Sequence, residues 1–542
     1  MKMEPYTYNQ PQKEKARKEM FKHVINMLTS SRSEACCVRN SYVREIFEEL
    51  RDNSFQSNDA REASQLSLKY IELWEEFHKA HVAVRLPKDL TVCYLCGPEP
   101  MNDFRVLVEL GIHPHNIWAF ESNDEIYKSA LLEISNSDFP MLKIHKGSIE
   151  NFFIDTPKKF DIVYLDACGP LPSRGQHTLR LISTLLRYHR LNSPGALVTN
   201  FACPDLDSIE QKDNYTYLVS SYLYPKQYLE GYDLEGNPIY IEGPSRIDSS
   251  EVIKSNFSTF YEQVKSNFEF YYSQYITRQI FDLASFIIPW SRLVNSNHWH
   301  QFFSATPDII AQNTKYMRVF GVDNKDGDII VEPYNYPLQW TLCSINGIDK
   351  SGTSYGRYPT PPNSMNKFKK TWIDDLAGLP SQPYQVRDAI ECSDFLKNHS
   401  QYYTERLLKS IEMFNYRNKL FQFCDVPSKS LGFDLITNQL SYPMHYTVDA
   451  TKRWTYKAKD TQMYLDAIIL DECRYIYEWL PTIDLLSEAF ENNGQQLSYR
   501  FALDGLFKNR RWYNTEYFFG ASVVNQDKTG FEAKVLKPRI EI

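Results

Sequence analysis

A chain of 542 residues exceeds one ordinary hydrophobic core, so two to four domains are expected. Its 42% hydrophobic and 24% charged residues fit a soluble globular protein, and no run approaches the about eighteen apolar residues of a membrane span. The net charge of −8 excludes a general basic coat for nucleic acid but leaves room for a local basic groove, and ten cysteines in so long a chain point to reduced thiols rather than a disulfide scaffold.

The opening "MKMEPYTYNQPQKEKARKEM" is polar and lacks an apolar signal core, so a cytoplasmic location is expected. Apolar residues then recur at helical spacing at Met20, Phe21, Val24, Ile25 and Leu28. They do so again at Leu66, Tyr70, Leu73, Trp74 and Phe77. Residues 1–87 read as a helical N-terminal extension.

From 88 to 205 the pattern changes to short apolar runs alternating with helical stretches. The expected strands are "LTVCYLC", "NIWAFES", "MLKIHKG", "FDIVYLDA" and "GALVTNF". The expected helices between them are "DFRVLVELGI", "DEIYKSALLEI" and "QHTLRLISTLLRYHRL". Strand and helix alternating at this rhythm predict an α/β, Rossmann-like core: a mostly parallel sheet with helices on both faces.

Beyond 205 the alternation is lost. Residues 206–348 carry two expected hairpins, "YDLEGNPIYIEG" and "VFGVDNKDGDIIVEP", and long helices near 251–290. The Ser-, Gly-, Pro- and Tyr-rich stretch 349–366 reads as a linker. Residues 367–542 read as a mostly helical (α+β) C-terminal region, with helices over "YYTERLLKSIEMF" and "YLDAIILDECRYIYEWL".

In open α/β sheets ligands bind beyond the carboxyl ends of the strands, at the point where the strand order reverses. The residues leaving the first four strands are Gly97, Glu121, Gly147-Ser148 and Asp166. In this order they resemble the class I S-adenosylmethionine-dependent methyltransferases. The resemblance covers roughly residues 88–204.

It implies that the first loop, with Gly97 and Glu99, passes beneath S-adenosylmethionine and that Glu121 accepts hydrogen bonds from the ribose. It further implies that Ser148 and Ile149 lie at the adenine and that Asp166 ends the fourth strand where a methyl group is transferred. Glu121 follows Gly97 by 24 positions, near the interval expected of a ribose-binding acid. The loop "CGPEPMND" departs from the family in offering one glycine, and Pro98 and Pro100 have no N–H to donate. Glu150 follows Ser148 where many members carry an acid directly after the third strand.

For function, the resemblance implies methyl transfer to an acceptor that Asp166 orients or deprotonates. The large extra polypeptide points to a macromolecular acceptor, nucleic acid or protein, or to a complex. A competing reading is a catalytically inactive methyltransferase-like scaffold. A smaller one is RNA cytosine-5 chemistry, since Cys168 and Cys203 follow the fourth and fifth strands; that family's Asp-Ala-Pro-Cys reads Asp-Ala-Cys-Gly here. Near the C-terminus Lys508, Arg510 and Arg511 alternate with Trp512, Tyr513 and Tyr517, a mixture suited to single-stranded nucleic acid. No metal site is expected. Cys93 and Cys96 lie on opposite faces of one strand, and "DNKDGD" has the wrong residues for a calcium loop and reads as a turn.

Overall fold

The computed structural model describes residues 10–52, 66–173, 177–223, 256–310, 399–416, 431–479 and 536–542, with shorter pieces elsewhere. The linker at 349–366 and the basic-aromatic stretch around Lys508 and Trp512 lie outside the described residues.

Among the described residues the N-terminal extension holds three helices: α1 (Pro11–Leu28), α2 (Tyr42–Asp52) and α3 (Leu68–Val82). The expected αβ alternation follows as β1 (Val92–Leu95), α4 (Met101–Glu109), β2 (Ile117–Glu121), α5 (Asp124–Ser135), β3 (Lys143–Lys146), α6 (Ile149–Asp155), β4 (Phe160–Asp166), α7 (Thr178–Arg187) and β5 (Leu191–Ala202). Strands β1 to β4 fall within the apolar runs read from the sequence, and β5 contains its run, "GALVTNF", but begins four residues earlier and ends one later. The two-turn α6 gave no such signal.

Further along lie α8 (Ile209–Leu223), the short pair β6 (Gly231–Tyr232) and β7 (Pro238–Ile239), α9 (Asn256–Ser266), α10 (Phe268–Asp282) and α11 (Ile288–Val294). The pair β8 (Val322–Asp323) and β9 (Ile329–Ile330) is antiparallel, as is β6 with β7, so both expected hairpins form. After α12 (Trp299–Phe302), α13 (Glu405–Tyr416) and α14 (Leu431–Ser441) come β10 (His445–Tyr446), β11 (Lys452–Ala458), β12 (Thr461–Asp471), α15 (Arg474–Tyr477) and β13 (Ile540–Glu541).

The main sheet runs β13-β11-β12-β5-β4-β1-β2-β3. Strands β1 to β5 are mutually parallel, with Leu95 opposite Phe120 and Tyr164 between Tyr94 and Val198. One correction concerns "YLDAIILDE", expected as helix. It is the antiparallel strand β12, paired with β5 from Met463–Ala202 to Leu470–Gly195. Tyr464 through Asp471 are all buried, so the segment has no alternation of exposed and buried positions to mark it as a strand.

Alternate residues of the central strands feed two cores. Val92, Tyr94, Ile162, Tyr164, Val198 and Leu465 pack under α1 and α4, against Met20, Phe21, Val24 and Phe104. Cys93, Val163, Leu165, Leu197 and Ile468 face the other way, against Trp74, Phe153, Ile182 and Tyr272. Period-two strands thus place α1 directly on one face, with the Phe21 and Tyr164 rings edge to face at 5.6 Å. Among the described residues no helix is long and apolar enough to cross a membrane.

Past β12, Glu472 sits among His189 at 3.3 Å and Arg474 at 3.3 Å. Burial alone would raise its carboxyl, but the His189 hydrogen bond and the Arg474 charge outweigh burial and hold it down to about 2. A carboxyl lowered by folding contributes stability that is complete above its ordinary value of 4.5 and is lost as pH falls through the folded value. Urea midpoints measured from pH 6 down to pH 2 should therefore fall less steeply in Glu472→Gln than in the wild type.

Candidate functional site

Strand β1 lies between β2 and β4, so the chain runs outward through β2 and β3 and then returns to the far side of β1. This reversal opens a cavity of ≈ 940 Å³ at the carboxyl ends of the strands. Gly97, Glu99, Glu121, Ser148, Ile149 and Asp166 all line it, so the structure brings these six residues into one space together with Cys168, while Cys203 lies outside it.

Gly97 takes φ +59, the left-handed region that disfavours a side chain, and a Cβ there would meet nothing within 4 Å. The glycine is thus set by backbone conformation, and the space beside it is open. The following turn is held by the Tyr94 hydroxyl, which donates to the Pro100 carbonyl at 2.7 Å just before α4. Glu99 accepts from the Asn102 amide at 2.7 Å.

Glu121 is the last residue of β2, half-buried, and its carboxylate accepts from the Asn123 backbone N–H at 2.7 Å. Ser148 caps α6 through the Glu150 N–H at 3.2 Å, and Ile149 beside it is buried. Glu150 is bound to Arg180 of α7, whose Nε lies 2.9 Å and 3.1 Å from its two oxygens.

Asp166 ends β4 and meets a partner from the N-terminal extension. Lys13 of α1 places Nζ 2.7 Å from Oδ2. The Cys168 thiol at 3.0 Å and the Asn200 amide at 2.8 Å donate to Oδ1, and the same amide nitrogen reaches the Tyr456 hydroxyl at 2.8 Å. Burial alone would raise the Asp166 carboxyl, but Lys13 and these hydrogen bonds outweigh it and hold the group below the usual carboxylate range. Lys13 is raised in turn: its burial is overcome by the Asp166 charge.

One turn along α1, Arg17 pairs with Asp103 of α4 at 2.6 Å, both largely buried. Burial raises the Asp103 carboxyl despite that cation. The site is therefore an alternating array of two cations from α1 and two carboxylates from the αβ core. Lys13, Arg17, Asp103, Asn200 and Tyr456 were not anticipated from the sequence. The available signal was Lys13 and Arg17 four apart, on the helical turns leading to buried Met20, Phe21 and Val24.

Cys168 keeps an open surface, but enclosure of its sulfur and the adjoining Asp166 charge push the thiol up to about 12. Cys203 is half-buried, and burial pushes it to about 11. These directions are opposite to the lowered values that activate a cysteine nucleophile. Cys93 and Cys96 fall in the two different cores, as expected of opposite strand faces.

Among the described residues, Cys37, Asp471 and Cys473 each bring a possible metal-ligand atom within 4.8 Å of the others. Asp471 already accepts four close N–H and O–H hydrogen bonds there, from Cys37, Cys473, Ser193 and Tyr475, which make it a structural joint. No family model matches the chain, and no curated protein matches its sequence.

Proposed function

We propose that the chain is an S-adenosylmethionine-dependent methyltransferase acting on a macromolecular acceptor. The observation that carries this reading is the convergence of four strand-end positions, from β1, β2, β3 and β4, on one cavity at the switch point. The residues present suit a nucleoside with a polar tail. Glu121 offers a carboxylate to ribose hydroxyls, Ile149 and Phe120 offer apolar surface to a base, and the open side of Gly97 leaves room for the rest. The strand next to β5 is β12, antiparallel to it, so among the described residues the parallel sheet does not continue into a second βαβαβ half of a dinucleotide fold, which favours a single nucleoside.

S-adenosylmethionine, when bound, supplies an electrophilic methyl group. The protein's share is to position the acceptor and shield it from water. Asp166, held as an anion, is a weak base, and this supports orienting the acceptor over deprotonating it.

The second reading, a methyltransferase-like scaffold, draws on a specific observation as well: Lys13 already engages the Asp166 carboxylate. Calorimetry with S-adenosylmethionine and S-adenosylhomocysteine distinguishes the two. Micromolar binding that Glu121→Ala weakens about ten- to a hundredfold, the loss of a charged hydrogen-bonding partner, is expected of the enzyme. Absence of heat with either compound would favour the scaffold.

A further inference from the structure

We propose that the Asp166 end of the cavity is a binding subsite for an aliphatic primary ammonium group, and that Lys13 of the chain's own α1 fills it as an internal stand-in. The carboxylate has two differently committed oxygens. Oδ1 is backed by the Cys168 thiol and the Asn200 amide, and Asn200 is itself tied to Tyr456. Oδ2 takes the Lys13 ammonium at 2.7 Å, and Lys13, Asp166 and Cys168 all line the cavity. The group seated there is a compact cation on a flexible four-carbon stem, the same chemistry as a lysine side chain of another polypeptide.

The position of Lys13 in α1 makes it a replaceable occupant. It is the third residue of a helix beginning at Pro11, in the first turn, where backbone N–H groups lack intrahelical partners and fraying costs least. The helix is anchored further on. Met20, Phe21 and Val24 are buried, and the His23 ring bonds the Ala450 carbonyl at 2.7 Å. The neighbouring Arg17–Asp103 pair remains to neutralise the second carboxylate. Opening the first turn, which also releases the bond from the Lys457 N–H to Gln12 Oε1 at 3.2 Å, therefore exposes Asp166 without unpacking the rest of the helix.

The inference deepens the proposed function, and rests on it in calling the bound group a methyl acceptor. The lysine-type ammonium gives one proton to solvent water, since Asp166 is too weak a base to keep it. The freed nitrogen lone pair then forms the N–CH3 bond as the S–CH3 bond of S-adenosylmethionine breaks, leaving S-adenosylhomocysteine. The subsite itself needs no S-adenosylmethionine, so every sample in the test omits it. A chain that fails to bind S-adenosylmethionine can still pass, and one that binds it can still fail.

The first measurement is thermal unfolding of Lys13→Ala with n-butylammonium chloride against sodium chloride at equal ionic strength. The amine should raise the midpoint of Lys13→Ala by a few degrees, raise that of the wild type by less, and leave the Lys13→Ala/Asp166→Asn double variant unmoved. If Lys13→Ala does not fold, Lys13→Met, which keeps the packed stem, takes its place in the same series. No rise beyond the salt control, or an equal rise in the double variant, would overturn the subsite.

The second measurement is calorimetry with N-acetyl-lysine methylamide. Weak binding to the wild type and several-fold tighter binding to the Lys13 variant are expected, because the internal occupant competes. A wild type that binds none of it, or binds as tightly as the variant, would make Lys13 a fixed structural partner and end the proposal.

Discussion

Asp471→Ala is expected to lower the stability of the fold by about 4 kcal/mol, read from urea midpoints at constant slope. Asp471 closes β12 and is 1% exposed. Its Oδ2 accepts from the Cys37 backbone N–H at 3.0 Å and from the Tyr475 hydroxyl at 2.5 Å. Its Oδ1 accepts from the Ser193 hydroxyl at 2.9 Å and the Cys473 backbone N–H at 3.0 Å. Tyr475 passes the connection on: its oxygen accepts from the Val38 N–H at 3.1 Å, and Trp74 of α3 packs against its ring.

One carboxylate thus ties the N-terminal extension, the start of β5 and the turn after β12 together. Removing it strands several buried donors at once, which is worse than removing donor and acceptor together. Asp471→Asn keeps one oxygen acceptor and should lose roughly half as much. A loss below about 1 kcal/mol for the alanine variant would show that the three segments are held mainly by their apolar contacts.

The five parallel strands were legible because each is a short apolar run bounded by polar or glycine-containing turns and spaced by amphipathic helices. The strand ends follow directly, and that is why Gly97, Glu121, Ser148 and Asp166 could be named before their geometry was known. Strand β12 was illegible for a physical reason. Its Leu465, Ala467 and Leu470 suit a helix as well as a strand, and Asp466, which a pattern reader assigns to solvent, is fully buried. Arg539, far along the chain, pairs with it, and Thr277 of α10 donates to it at 2.5 Å. Those partners lie 73 and 189 residues away, beyond the reach of any local pattern. Lys13 was hidden in the same way, because a lysine in a charged opening turn reads as solvated until the fold places Asp166 beneath it.

On the proposed methyl transfer, Asp166→Asn is expected to cut turnover about a hundredfold or more, the cost of a misplaced acceptor, while affinity for S-adenosylmethionine stays within a few-fold. The separation follows from the layout: Glu121 and Ile149 leave different strands from Asp166. Asparagine keeps the shape and an oxygen acceptor, so folding should survive where alanine would leave the Lys13 ammonium without the side-chain oxygen it bonds. The pH profile gives a second check. Asp166 is held below its ordinary 3.8, so its contribution is complete above that value and fails as pH falls through the folded one. Lys13 is raised above its ordinary 10.5, so its contribution is complete below that value and fails as pH rises through the folded one. Between these limits the pair stays ionised, and kcat should show no limb from Asp166 near neutrality. A limb near pH 7 that persists in Asp166→Asn would assign proton removal to another group. Full turnover in Asp166→Asn, with a lysine-type acceptor in hand, would remove Asp166 from the chemistry and leave it as the anchor of α1.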